Sequence, residues 1–242
     1  MQLTAVDIGN TSVKVTLFLG EKFHGSHVFA SLKDAEGEIK GAVAYCSTRE
    51  LDAAEKDLLE SRQAWELDSM CRLPIEICYD TPTTLGADRL AAAVGANGLF
   101  PRRNLLIADA GTALTIDVVD SEDRYRGGNI SPGVELRLKA LHKFTSRLPM
   151  VAVDMEDDSY FGHDTASAIG CGVRWGLVNE IAGAFALAKR EYGCELLILT
   201  GGSGENLFHD LKKVIPEGIG LEYNPELVAR GLLLAYNYNH DK

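Results

Sequence analysis

No stretch of the sequence approaches the ~20 consecutive apolar residues that a membrane span requires. No G-x-x-x-x-G-K-[ST] occurs either, which excludes a P-loop nucleotide site. The five cysteines, Cys46, Cys71, Cys78, Cys171 and Cys194, are odd in number and contain no Cys-x-x-Cys. That argues against a disulfide framework or a structural zinc site, and predicts that most of them are small buried hydrophobes in a reducing cytosol. Positive charge is scarce, with 24 Lys and Arg against 35 Asp and Glu, a net charge of -11. A phosphate backbone needs a basic surface, so nucleic-acid binding by bulk electrostatics is excluded, whereas a phosphorylated small ligand held by Mg²⁺ or a local cation is not. The N-terminal MQLTAVDIGN lacks a basic region followed by a long apolar run, and sets Asp7 where an export signal would be apolar. These absences predict an unexported, cytoplasmic protein. What the chain does have is 242 residues, 46% of them hydrophobic, enough to fill the cores of two modest domains.

The chain opens on a predicted strand, Leu3 to Val6, a polar turn from Asp7 to Thr11, and a second strand, Val13 to Leu19. Residues 21–30 can continue as a third strand, 39–46 read as a short buried strand, and 50–62 carry helical spacing. Pro74 to Tyr79 suggests another strand, Asp80 to Thr84 a loop, and an Ala-rich helix follows from about Gly86 to Gly95 or Asn97. Residues 105–109 start again as a strand, then turn at Ala110-Gly111-Thr112 into a strand from Leu114 to Val119. A further strand leads to a predicted loop, Gly127 to Gly133, and then to an amphipathic helix from Val134 to about Lys143. Thr165 to Tyr192 predicts one long helix stopped by Gly193. Residues 195–200 predict a buried strand, 201–204 its turn, and Asn224-Pro225 the start of a last helix. Residues 154–161 (DMEDDSYF) form an acidic segment, expected to be mobile, to which no role is assigned.

One pattern occurs twice. A strand running into Asp-x-Gly and then another strand appears at Asp7-Ile8-Gly9 and again at Asp109-Ala110-Gly111, about one hundred residues later. That interval is domain spacing, and not the period of a solenoid. It predicts two similar α/β halves facing one another across a cleft, residues 1–104 and 105–242.

Each copy suits phosphate chemistry. In Asp7-Ile8-Gly9-Asn10-Thr11-Ser12-Val13-Lys14, Gly9 lets the backbone approach a ligand, and Asn10, Thr11 and Ser12 supply donors. Asp7, at a strand end, is placed to hold Mg²⁺ directly or through water, and Lys14 adds positive charge. The same residues also suit an ordinary hairpin with an Asx turn. In the second copy Thr112 offers a hydroxyl, and Asp109 ends an apolar strand, where a carboxylate needs a cation or donors. Gly201-Gly202-Ser203-Gly204 follows a buried strand, at the end where α/β proteins bind ligands, and lets an adenine or ribose lie against backbone; a flexible turn would look the same.

These elements resemble the superfamily of actin, Hsp70 and the sugar kinases, whose two ribonuclease-H-like domains clamp ATP in a central cleft. Within it the sequence is similar to the type III pantothenate kinases. The likeness rests on D-x-G-N-T-x-x-K at Asp7 to Lys14, G-x-D-R at Gly86-Ala87-Asp88-Arg89, D-x-G-T-A at Asp109 to Ala113, Gly127-Gly128-x-x-x-Pro132-Gly133, Leu148-Pro149, and Gly162-x-x-Thr165. The small Ala110 departs from the bulkier residue frequent in that family.

The resemblance implies ATP-dependent phosphorylation of pantothenate, the first step of coenzyme A biosynthesis. It implies that Asp7, Ile8, Gly9, Asn10, Thr11, Ser12, Val13, Lys14 and Thr112 bind ATP, with Mg²⁺ at Asp7. It places pantothenate against Tyr79, Gly86, Ala87, Asp88, Arg89 and Thr165, with Asp88 as proton acceptor and Asp109 holding a monovalent cation, K⁺ or NH₄⁺. It also implies a cytoplasmic homodimer. The local chemistry of Asp88 agrees: in the first turn of a helix the dipole favours its ionised form, and Arg89 can fork onto a carboxylate. The alternatives are a kinase for another small hydroxyl acceptor, or a non-catalytic nucleotide-binding regulator on the same fold.

Overall fold

The computed structural model describes residues 1–154 and 157–240. Cα proximity divides the chain into two compact units. The first holds Met1–Arg102, Val119–Gly127 and Glu226 onward; the second holds Arg103–Val118 and Gly128–Pro225. A single cut near residue 104 therefore does not separate them. Residues 119–127 and the C-terminal helix, placed in the second half from sequence, pack with the first unit.

The first unit is built on β1 (Gln2–Ile8), β2 (Val13–Leu19), β3 (Lys22–Phe29), α1 (Leu32–Ala35), β4 (Ala42–Ser47), α2 (Ala53–Ser61) and β5 (Trp65–Glu66). A two-residue strand β6 (Glu76–Ile77) and helix α3 (Ala87–Leu99) complete its contiguous part. The sheet order is β3-β2-β1-β4-β5. β1 pairs antiparallel with β2 and parallel with β4, so Asp7 stands opposite Lys14 on one side and Cys46 on the other.

The second unit contains β7 (Leu105–Ala110), β8 (Ala113–Val119), β9 (Arg124–Pro132), α4 (Val134–Phe144), α5 (Thr165–Tyr192), β10 (Leu196–Thr200), α6 (Gly204–Val214) and β11 (Gly220–Tyr223). The first residues of β9 belong to the first unit, where Glu76 and Ile77 of β6 pair with Arg124 and Tyr125. The remaining order, β9-β8-β7-β10-β11, repeats the first sheet strand for strand. β7 and β8 are joined by only Gly111 and Thr112, a connection only antiparallel strands allow, and β7 pairs parallel with β10. The repeated Asp-x-Gly thus marks the same place in two copies of one topology: the end of the first strand, beside the strand that returns parallel to it. Thr200 stands opposite Asp109 as Cys46 stands opposite Asp7.

Three sequence expectations change. The predicted loop from Gly127 to Gly133 is mostly strand, because β9 continues to Pro132. Its glycines have structural reasons: Gly127 adopts φ +90°, and a Cβ on Gly128 would lie 1.8 Å from the Ile116 carbonyl oxygen. The strand expected from Pro74 to Tyr79 shrinks to Glu76–Ile77, since its edge pairing with β9 spans only those residues. Within the acidic segment, Met155 and Glu156 lie outside the described residues, but Asp154, Asp157 and Ser159 are held through their backbone oxygens. Arg174 Nη1 donates to the carbonyls of Asp154 (3.2 Å) and Asp157 (2.7 Å), and Trp175 Nε1 to that of Ser159 (2.9 Å). Arg174 is in turn locked to Asp210 of α6 by two bonds of 2.6 Å, with both side chains buried.

The long helix ends as its sequence predicts, with Gly193 left-handed at φ +69° as its C-cap. The last helix, α7 (Leu227–His240), packs on α3 within the first unit. Their backbones approach so closely that a Cβ on Gly231 would lie 1.7 Å from the Ala91 carbonyl oxygen, and one on Gly95 would lie 2.3 Å from that of Leu227. Small residues explain why α3 can be buried on nearly every side.

Candidate active site

The first unit brings two of the predicted motifs together. The Asp7 motif forms the hairpin between β1 and β2, closed by Gly9 N–H donating to the Ser12 carbonyl at 3.0 Å. Ile8 and Val13 on either side are buried and anchor it to the core. Asp7 is half-buried at the strand end, and burial, followed by the charge of Asp88, pushes its carboxyl up to about 6. The Cys46 thiol, 3.7 Å from Asp7 Oδ1, and the charge of Lys14 pull the other way.

Asp88 lies in the first turn of α3, after the 3₁₀ turn Pro82–Thr84 and the N-cap Gly86. Gly86 leaves room for the Asp88 carboxylate in this rotamer, since a Cβ there would sit 2.5 Å from Asp88 Oδ1. That oxygen accepts from the backbone N–H of Arg89 at 2.8 Å. Burial raises the Asp88 carboxyl above the usual range, while the Arg89 N–H and guanidinium oppose the rise.

Arg89 itself is buried, 5% exposed, which a guanidinium tolerates only with partners. It lies 5.9 Å from the ring centroids of both Tyr79 and Tyr125, which meet edge to face at 6.1 Å. Gly127 completes this corner, since a Cβ there would meet the Tyr79 ring at 3.4 Å. Asp7, Tyr79, Gly86, Ala87, Asp88 and Arg89 all belong to this unit. Sequence reasoning missed Tyr125, Cys46 and Arg49. Tyr125 and Cys46 carry no motif; only strand pairing puts them beside Arg89 and Asp7.

The second unit holds Asp109, Thr112 and Thr165. Asp109 is the penultimate residue of β7, next to the turn after β10: a Cβ on Gly201 (φ +86°) would lie 2.4 Å from Asp109 Oδ1. Gly133 packs onto the Gly111-Thr112 turn, its N–H donating to the Thr112 carbonyl at 3.0 Å. Thr165 is exposed, the first residue of α5 after the capping residue Asp164. The same unit has a cavity of about 410 Å³ walled by Val134, Glu135 and Leu138 of α4, Met150 to Val153, Arg174, and the start of α6 at Ser203, Asn206 and Leu207. Ser203 is the residue of the Gly-rich turn, predicted to meet a nucleoside, that lines it.

No group of three or more His, Cys, Asp and Glu side chains gathers into a metal cage among the described residues. Mg²⁺ at a phosphate site asks for less, one or two carboxylates with waters and phosphate oxygens completing its shell. Asp7, a half-buried carboxylate whose charge is opposed by Asp88, fits that demand. Among the described residues no helix is long and apolar enough to cross a membrane.

The model of the type III pantothenate kinase family matches residues 29–186. A type III pantothenate kinase of Bacteroides fragilis is 40% identical over 98% of both chains, and one of Cytophaga hutchinsonii is 37% identical over 96% of this chain and 98% of its own. Among solved structures, a ROK family glucokinase from Streptomyces griseus in complex with glucose and AMPPNP superposes with a TM-score of 0.56 at 13% identity, covering all of both chains. The activator of 2-hydroxyisocaproyl-CoA dehydratase from Clostridium difficile with bound ADPNP gives 0.56 at 13% identity, over 100% of this chain and 95% of its own. These distant likenesses establish the fold, the two-domain ribonuclease-H-like architecture that the repeated strand order also displays.

Proposed function

The chain belongs to the type III pantothenate kinase family, whose members phosphorylate pantothenate for coenzyme A biosynthesis, and from that premise we propose how its own residues carry the reaction. The observation that carries the assignment is the corner where Asp88 opens α3, with Arg89 against the rings of Tyr79 and Tyr125 and Asp7 near enough to feel the charge of Asp88.

Pantothenate has a carboxylate at one end and a primary hydroxyl at the other. Arg89 takes the carboxylate as a fork, with Tyr79, Gly86 and Ala87 shaping the surface around it and Thr165 adding a hydroxyl. Asp88 accepts the hydroxyl proton as that oxygen attacks the γ-phosphate of ATP. Its raised pKa supports the role, because a carboxylate disfavoured as an anion is a stronger base. The hairpin at residues 8–14 receives the phosphates through backbone N–H groups at its tip, the Asn10, Thr11 and Ser12 side chains and Lys14. Thr112 contacts ATP in the second unit. The cavity beside Ser203 has the apolar walls and size for an adenine.

Asp7 is the proposed Mg²⁺ ligand, directly or through water, and the ion supplies charge neutralisation on the phosphates. Asp109 is the proposed holder of K⁺ or NH₄⁺; Gly201 brings the turn after β10 close beside its Oδ1, where a Cβ would lie 2.4 Å from that oxygen. The enzyme acts as a cytoplasmic homodimer in this reading. The small residues Ala166, Ala168, Gly170, Gly172 and Gly176 of α5 suit either a dimer seam or packing within the subunit.

Mass spectrometry of a reaction containing ATP, Mg²⁺, K⁺ and pantothenate, with a parallel Na⁺ reaction, tests the proposal. A product heavier by one phosphoryl group only with K⁺ supports both the acceptor and the role of Asp109. Product in both reactions removes the cation argument. No product in either, from folded protein that binds ATP, moves the assignment to another acceptor or to a regulator.

A further inference from the structure

We propose that Arg49 is a positioning residue for the ATP phosphates: clamped by Glu55, it pins the Gly9 carbonyl and thereby aims the donors of the loop at residues 10–12. This role rests on residues 7–14 being the phosphate loop, as proposed above.

Because β1 and β4 run parallel, with Ile8 opposite Ser47, the segments leaving their C-terminal ends travel side by side. They are tied at several points. Thr48 N–H donates to the Ile8 carbonyl at 3.0 Å, and Asn10 Nδ2 donates to the Thr48 hydroxyl at 3.3 Å. Arg49 Nε donates to the Gly9 carbonyl at 3.3 Å. The rest of the guanidinium is occupied: Nη1 and Nη2 fork onto Glu55 at 2.7 and 2.6 Å, and Nη1 also reaches the Glu50 carbonyl at 3.2 Å. The backbone of Arg49 is held too, its N–H donating to the Ser47 hydroxyl while that hydroxyl donates to its carbonyl.

Glu55 is no loose partner. It is the third residue of α2, in a capping box with Asp52: Glu55 N–H donates to Asp52 Oδ1 at 2.9 Å, and Asp52 N–H to Glu55 Oε2 at 3.2 Å. A continuous line of bonds therefore runs from the start of α2 through Glu55 and Arg49 to the Gly9 carbonyl. The Arg49 charge is matched by Glu55, so its value to the site is geometric.

Peptide planarity converts that geometry into function. The Gly9 carbonyl and the Asn10 N–H belong to one trans peptide and point in opposite directions. Fixing the carbonyl on Arg49 turns the Asn10 N–H outward as a donor, and keeps a carbonyl oxygen from facing an anion. Gly9 has the freedom to flip that peptide, so the fastening decides which face is presented. In the second unit the corresponding turn, Gly201-Gly202-Ser203-Gly204, has no side chain long enough to do the same.

The test is steady-state kinetics of the full chain, with ATP and pantothenate varied separately and melting followed with and without ATP. Arg49→Ala is expected to raise the KM for ATP about tenfold, and Glu55→Gln about threefold, with the KM for pantothenate within about twofold of the parent. Arg49→Lys is expected not to rescue, because one ammonium cannot fork onto Glu55 and reach Gly9 at once. Each variant should also lose part of the rise in melting temperature that ATP confers. An unchanged KM for ATP in folded Arg49→Ala overturns the proposal, as does an equal rise for both substrates. If Arg49→Ala fails to fold, Arg49→Lys and Glu55→Gln decide the question in its place, by the same KM criteria. Lys14→Ala separates the two levels: if it raises the KM for ATP while Arg49→Ala does not, only the role of Arg49 falls. If neither moves it, the phosphate-loop reading falls and takes this one with it.

Discussion

The guanidinium of Arg89 lies 5.9 Å from the ring centroid of Tyr125, a tyrosine with no exposed surface, so a charged group and an aromatic face are fixed on one another inside the first unit. The arrangement sets the orientation of the planar fork. Arg89→Lys keeps the charge but loses both the fork and the stacking. It is expected to raise the KM for pantothenate by about 10–10²-fold, with the KM for ATP little changed, measured with each substrate varied in turn.

Asp88→Asn preserves the shape that Gly86 leaves room for, and removes the proton acceptor. A loss of about 10²–10⁴-fold in kcat is expected, with circular dichroism and melting close to the parent. Normal turnover in the folded variant would remove Asp88 from the role of base.

Asp7 gives a pH dependence. Its folded pKa of about 6 lies above the ordinary 3.8 of a free aspartate, so the folded protein binds this proton more tightly than the unfolded chain. The charged form is the disfavoured one, and the cost is fully present above pH ~6 and disappears as pH falls towards ~4. Two pKa units correspond to ~3 kcal/mol, and solvent reaching the half-buried carboxylate reduces that to about 1 kcal/mol, so Asp7→Asn is expected to melt roughly 2–4 °C higher at pH 8 and to lose that advantage near pH 4. The same variant should lose nearly all activity. In the parent, kcat/KM for ATP should fall below pH ~6 with a one-proton limb, and higher Mg²⁺ should move the limb to lower pH by competing with the proton.

Arg174→Leu tests the buried pair in the second unit. It leaves Asp210, 1% exposed, without its fork; Lys213, 3.3 Å away, offsets part of the loss. A cost of about 3 kcal/mol is expected from urea unfolding. The double variant Arg174→Leu with Asp210→Leu should recover part of it, since no buried charge is then left alone.

Much of this was legible in the chain. The repeated Asp-x-Gly pointed to two copies of one topology, and the strand orders repeat. The long helix, with its stop at Gly193, and the start of α3 at Gly86 followed from capping chemistry and composition. Groups joined only by long-range pairing were not legible. Arg49 reaches Gly9 because β4 lies beside β1; Tyr125 meets Arg89 because β9 pairs with β6; Arg174 finds Asp210 across two helices. No local periodicity encodes such meetings. Gly127-Gly128 misled for a related reason, since glycine pairs signal a loop until a neighbouring strand shows what they make room for.

The close packing of α7 on α3 also sets an order of events during synthesis. The helix that carries Asp88 and Arg89 is made early, but the surface that covers it, from Leu227 onward, emerges only after the whole second unit has been translated. At ~5–20 residues per second the delay is roughly 6–25 s. Through that interval α7 is not there to cover Ala91 and Gly95. The corner at Asp88 and Arg89 therefore acquires its backing only after residues 128–225 have been made.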